Sequence, residues 1–194
     1  MALASSLDAW LPFILLLALV LVVRGGFRAR AFVLTAAILV LVNDSVLSGS
    51  LKQFINRPRP SQVLDGLRVV DLAKASPRIR SAFQPPIVKL SRADLAHAEG
   101  RSFPSSHTIN VFSVALAGVC FFGVRAAWGF AAAALVAYSR IYVGSHWPSD
   151  VITSIFLGLG LTSLVLAGLD ALWRRRGGAC LPEVRARHPS LFAA

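Results

Sequence analysis

Apolar residues in this sequence arrive in blocks, at residues 7–23, 31–51, 108–123, 126–144 and 148–173, and the breaks between blocks hold most of the charge. A helix of a soluble domain shows one apolar stripe, whereas blocks apolar on every side can face only lipid or other helices. In hydrocarbon every backbone N–H and C=O must be satisfied within the segment, which restricts such blocks to helices. The chain therefore reads as all-α: a polytopic membrane helical bundle of about five transmembrane helices, with a long polar loop between spans two and three. Its 194 residues suit one domain, and a mean hydropathy of +0.66 sets it apart from soluble domains.

Charge narrows the partners. The formal net charge is +11, which in a soluble chain would raise nucleic acid as a partner. Beside five apolar blocks, the counterpart is anionic lipid, as surface or as substrate, and nucleic acid is excluded. Cys120 lies inside a block and Cys180 in the C-terminal tail, so no disulfide framework is expected.

The first block has no basic residue before it, and Arg24, Arg28 and Arg30 follow it. It reads as a retained anchor with its N-terminus outside, by the positive-inside tendency. The loop at 61–103 is rich in Pro and Arg, and loops of this length form lids or binding surfaces. Within it, residues 87–99 are read as a short amphipathic helix lying on the headgroups. Lys74, Lys89 and Arg92 are read as surface charges. Arg174, Arg175 and Arg176 stop the fifth block, so one membrane-embedded domain covers 1–176 and a poorly ordered tail covers 177–194.

Counting spans gathers the polar ends. Lys52 and Arg59 follow span two, His107 opens span three, Arg140 closes span four, and His146 and Asp150 open span five. All of these ends fall on one face of the membrane, and the turn at Arg125 and the triplet 174–176 on the other. Short Arg-bearing loops point inward, which puts the gathered residues outside. Pro148 suits the first turn of a helix, so Asp150 is placed to hold one nitrogen of His146 and leave the other free to attack. The same spacing also suits loop residues capping a helix. Fixed cations, a helix N-terminus and an imidazole together suit a phosphate group. Asp44 sits inside span two, about 12 Å from Lys52 along a helix rising ~1.5 Å per residue, and reads as a helix-packing hydrogen bond rather than a site group.

Three clusters now stand together: Lys52 with Arg59-Pro60; Pro104-Ser105-Ser106-His107; and Ser139-Arg140 with His146 and Asp150. In order and spacing they resemble the type-2 phosphatidic acid phosphatase family, the lipid phosphate phosphatases, over roughly residues 30–170. That superfamily shares its site with vanadium-dependent haloperoxidases and bacterial acid phosphatases. The resemblance implies a nucleophile at His146 that becomes a phosphohistidine, Asp150 as its orienting partner, and His107 as the acid that protonates the leaving oxygen. It implies a phosphate cradle of Lys52, Arg59 and Arg140, completed by Ser105 and the N–H of Ser106, with no metal and no cofactor. Ser106 stands where the family usually has glycine, a residue that permits unusual backbone angles or close approach to phosphate. Larger members commonly have six spans, against five counted here.

The implied activity is hydrolysis of a lipid phosphate or diphosphate in a bacterial inner membrane, on its periplasmic or outer face. Undecaprenyl diphosphate is the favoured substrate; phosphatidylglycerophosphate, phosphatidate and lipid A 1-phosphate are alternatives. A lipid phosphotransferase and a non-catalytic lipid-binding protein are the competing classes. Two histidines with one acid could suggest a metal site, but three neighbouring cations would repel a divalent ion. His97 and His188 are read as solvated, and Phe103, Tyr138, Tyr142 and Trp147 as an interfacial belt. Arg57 and Arg101 lie beside the cradle, where contact with a second phosphate is the less favoured reading.

Overall fold

In the computed structural model, residues 1–73, 75–76, 78–98 and 100–192 are described; Lys74, Pro77, Glu99 and the last two residues lie outside them. Helix α1 (Leu7–Arg24) is followed by α2 (Phe27–Val42), a π-helical turn (Asn43–Ser48) and α3 (Gly49–Ile55). The last three form one rod, Phe27–Ile55, of 29 residues. Then come α4 (Ser106–Phe122), α5 (Trp128–Tyr142), α6 (Pro148–Cys180) and a short α7 (Pro182–Arg187). By length and composition, Phe27–Ile55 and Pro148–Cys180 can each cross a membrane; Trp10–Arg24 and Ser106–Phe122 are apolar but shorter. Leu15, Leu16, Phe156 and Leu164 project outward, more than half exposed. An outer surface this apolar needs lipid or protein cover.

Helix α4 is the centre of the bundle, packed against α2, α5 and α6. Its contact faces carry small residues, as in helix pairs that approach closely. Ala115 and Ala117 on α4 and Ala133 and Ala137 on α5 are all buried. At the α4–α6 crossing, a Cβ on Gly158 would lie 3.0 Å from the Ile109 carbonyl oxygen. Larger residues fill in above and below: Leu39, Phe121 and Leu166 in one cluster, Phe112 and Val151 in another. Asn43 is fully buried, and its amide donates to Asn110 Oδ1 and Ser113 Oγ, tying the rod to α4.

Three expectations are corrected. The long loop contains a two-stranded antiparallel sheet, β1 (Arg68–Asp71) paired with β2 (Ile87–Leu90) from Arg68↔Leu90 to Asp71↔Ile87. The described part of that stretch, residues 87–98, therefore holds a strand and a single 3-10 turn at Leu95–His97 instead of an amphipathic helix, and Glu99 lies outside the described residues. Ile-Val-Lys-Leu opens with two β-branched residues and pairs along β1, while Val70 of β1 packs on Val143 at the end of α5. The tail is folded through residue 192: Asp170 on α6 accepts from Ser190 Oγ and the Leu191 N–H, and Leu191 enters the core beside Phe121. His188 is likewise not simply solvated, since it stacks on Phe27 at 5.0 Å and its carbonyl accepts from Trp173 Nε1. A buried carboxylate with three donors, counting Arg174, has anchored what composition suggested would fray.

Candidate active site

The polar ends converge on a cavity of about 370 Å³ lined by Asp44, Ser48, Gly49, Lys52, Arg59, Ser106, His107, Arg140 and His146. Each wall has a local cause. Lys52 sits on α3, which ends at Asn56 in the left-handed conformation (φ 47°). That bend returns the chain to place Arg59 at the head of a short helical turn, Pro60–Val63. Arg59 Nε is buried with no hydrogen-bond partner among the described residues. Arg140 ends α5, and Gly144 (φ 73°) reverses the chain so that the His146 N–H bonds the Arg140 carbonyl at 3.3 Å. Glycine is needed there for the positive φ and because a Cβ would crowd Leu67. Ser106 and His107 open α4, whose first N–H groups lack intrahelical acceptors and so favour an anion.

His146 is 5% exposed, and its Nδ1 lies 2.5 Å from the Ser102 carbonyl. A carbonyl only accepts, so Nδ1 carries the proton and Nε2 keeps its lone pair. Burial lowers the imidazole pKa to about 3; the Arg140 charge pushes the same way, and the Ser102 hydrogen bond opposes it. The ring is therefore neutral at pH 7, as a nucleophile must be.

This shift has a consequence for stability. An unfolded histidine titrates near 6.5 and the folded one near 3, so between those values the unfolded chain binds more protons. Folding stability from this group is complete above about pH 6.5 and falls as pH drops toward 3. Thermal unfolding in detergent between about pH 4 and 7 is expected to show this acid slope, and His146→Gln to flatten it.

Three sequence expectations change here. Asp150 does not touch His146. Fully buried at the third position of α6, its Oδ2 accepts from Ser102 Oγ at 2.5 Å and from the Trp147 N–H at 3.2 Å. Its Oδ1 pairs with Arg57 at 2.5 Å. The carboxylate turns back to cap its own helix, and the 101–104 segment lies between it and the imidazole, with Ser102 bonded to both, so Ser102 takes the place expected of the acid. Ser105 is the second change: fully buried, it accepts from Thr108 Oγ1 and gives its N–H to Ser154 Oγ, so it builds the wall behind the cradle. Third, Trp147 belongs to the site's frame, donating to the Pro58 carbonyl at 2.9 Å with Arg57 5.2 Å above its ring. His97, by contrast, is an exposed partner of Asp94.

Ser106 resolves the glycine question. It begins an ordinary helix without positive φ, and its hydroxyl accepts from Lys52 Nζ at 2.8 Å. Arg57 was legible only as a neighbour of the cradle, with no hint of its pairing with Asp150, and Ser102 was not legible at all; the Asp150 cap, readable as Pro148 followed two residues later by an acid, was the one available signal.

A cavity lined by cations and a neutral imidazole, at the end of apolar helices two of which are long enough to cross a membrane, is a setting suited to a phosphoryl group. The comparisons with known proteins give the chain a family: residues 31–174 match the PAP2 superfamily, to which it belongs. It is 36% identical over 103 residues to YbjG of Escherichia coli (strain K12), by name a candidate undecaprenyl-diphosphatase, covering 51% of this chain and 48% of that one. An undecaprenyl-diphosphatase of Sulfolobus acidocaldarius is 38% identical over 65 residues, 32% of this chain and 31% of that one. A lipid A 4'-phosphatase of Bacteroides thetaiotaomicron is 24% identical over 156 residues, 77% of this chain and 59% of that one. The chain thus spans less than two thirds of each of these relatives. The crystal structure of Aquifex aeolicus LpxE shares the fold, with a TM-score of 0.57 at 24% identity, covering 84% of this chain and 81% of that one.

Proposed function

We propose that this protein is a metal-independent phosphatase of a lipid phosphate or diphosphate, with undecaprenyl diphosphate as the favoured substrate. The observation that carries the reading is the meeting of His107, His146, Lys52, Arg59 and Arg140 on one cavity. His146 Nε2 attacks phosphorus in line, and His107 gives a proton to the departing oxygen. Lys52, Arg59, Arg140 and the first N–H groups of α4 stabilise charge on the transferred group. Water then attacks the phosphohistidine and releases phosphate. The substrate's own negative charge supplies the counterion for an imidazolium at His107. About five helices span a bacterial plasma membrane, with the cavity opening on the outer face and the β1–β2 loop beside it at the headgroups.

The undecaprenyl-diphosphatase relatives support the substrate. The Bacteroides relative, matched over more of this chain, supports a glycolipid phosphomonoester as a second reading. The test is phosphate release in detergent, with a chelator present, from undecaprenyl diphosphate, phosphatidylglycerophosphate, phosphatidate and lipid A 1-phosphate. Release from the first at the highest kcat/KM is the expected result. Release from none refutes the reading, and phosphate appearing on an added lipid alcohol instead of free in solution would make it a phosphotransferase.

A further inference from the structure

The mechanism above leaves two polar side chains of the cavity wall without work: Asp44 and Ser48, both on the π-helical turn. We propose that they form a second polar subsite, which holds an O–H donor on the leaving-group side of the phosphoryl cradle; this rests on the reading just given.

Placement comes first. A π turn takes in one more residue per hydrogen-bonded ring than an α turn, and such turns recur at functional sites. Here it brings Asp44, Ser48 and Lys52 onto the same cavity, with Asp44 roughly 10–12 Å further along the rod than Lys52. A lipid's phosphate at Lys52 and its tail toward the membrane centre would run past these two side chains.

The chemistry of the pair comes next. Asn110 Nδ2 donates to Asp44 Oδ1 at 3.1 Å, and Asn110 is itself held by buried Asn43. One amide leaves most of a carboxylate's acceptor capacity unused. An acid at this depth is a functional group by default. Ser48 is 3% exposed, yet its hydroxyl has no hydrogen-bond partner among the described residues. A buried hydroxyl facing a cavity without a protein partner is an address for a ligand.

An O–H donor suits both residues, and it has two possible sources. Water is one. With its hydrogens directed to Asp44 and His107, a water would turn its lone pair to phosphorus. Its oxygen would bond to phosphorus as the P–N bond to His146 breaks, the electron pair returning to the imidazole and the proton passing to His107. A hydroxyl of the leaving group, on a glycerol or sugar, is the other.

Asp44→Asn and Ser48→Ala in the full-length protein test this with two probes: farnesyl diphosphate, which has no hydroxyl, and phosphatidylglycerophosphate, which has one beside the ester. Ser48→Ala should leave the unfolding midpoint unchanged or raised, because it removes an unsatisfied group, while lowering turnover about fivefold or more. Loss on both probes with phosphohistidine accumulating identifies water. Loss confined to phosphatidylglycerophosphate, with a raised KM, identifies the leaving-group hydroxyl. Both variants within about twofold of wild type on both probes would overturn the subsite alone. A wild-type protein that releases phosphate from neither probe would overturn the subsite together with the functional reading.

Discussion

His146→Ala should lower phosphate release by on the order of 10⁴-fold or more and leave no acid-labile phosphohistidine. The argument is positional. Nδ1 is committed to the Ser102 carbonyl, so Nε2 is the nitrogen left to bond phosphorus, on the cavity that Arg140 also lines. His107→Ala should behave differently. The protein would still be phosphorylated, and the loss would be greater for an alcohol leaving group than for the less basic phosphate leaving group of a diphosphate, which needs less help from an acid. Quenched-flow trapping of labelled enzyme separates the two. Undiminished phosphohistidine in His146→Ala would remove the nucleophile assignment, and equal losses on both leaving groups in His107→Ala would remove the acid.

How far the sequence foretold this site depended on the kind of contact. Apolar blocks and span parity placed Lys52, Arg59, His107, Arg140 and His146 at one end of the bundle, because helix length and sidedness follow from hydropathy alone. The contact that orients His146 was not legible. A backbone carbonyl carries no residue-type signature, so Ser102 could not be told from its neighbours, and the i, i+4 spacing of His146 and Asp150 drew attention to the wrong pair. The β1–β2 pairing and the docking of Leu191 were missed for a related reason. Both rest on partners far away in sequence, Arg68–Asp71 for one and Asp170 for the other. Asp44 makes the helix-packing hydrogen bond expected of it, from Asn110 on α4, but it also lines the cavity, which a distance to Lys52 counted along an uninterrupted α-helix did not suggest. The π turn changes which face the carboxylate joins, and nothing in Asn-Asp-Ser-Val-Leu-Ser announces it.

The unforeseen partner of Asp150 yields the second large effect. Arg57 ties three segments together: its guanidinium reaches Ser149 Oγ and Asp150 Oδ1, its carbonyl accepts from the Ser102 N–H, and it lies over Trp147. Gly100 lets the 101–104 segment approach, since a Cβ there would overlap Asn56. Removing the guanidinium would leave a fully buried carboxylate short of its cation. Because the arginine is 38% exposed and water can enter, Arg57→Ala should cost about 1–3 kcal/mol of stability. Its larger effect is on position. The Arg57 carbonyl would still hold the Ser102 N–H, but Asp150, freed of its cation, would hold the Ser102 hydroxyl less firmly; the carbonyl that fixes the His146 tautomer would drift, and a shift near 1 Å can cost ~100-fold in rate. Since Arg57 does not line the cavity, kcat should fall with KM nearly unchanged. Arg57→Lys should restore part of it, keeping the charge but not the reach to Ser149 or the stacking. Ser102→Ala, which keeps the carbonyl, should cost less than Arg57→Ala. A rise in KM with kcat intact would instead place Arg57 among the groups that grip phosphate, and the chain of contacts from Arg57 through Asp150 and Ser102 to His146 would then have no part in catalysis.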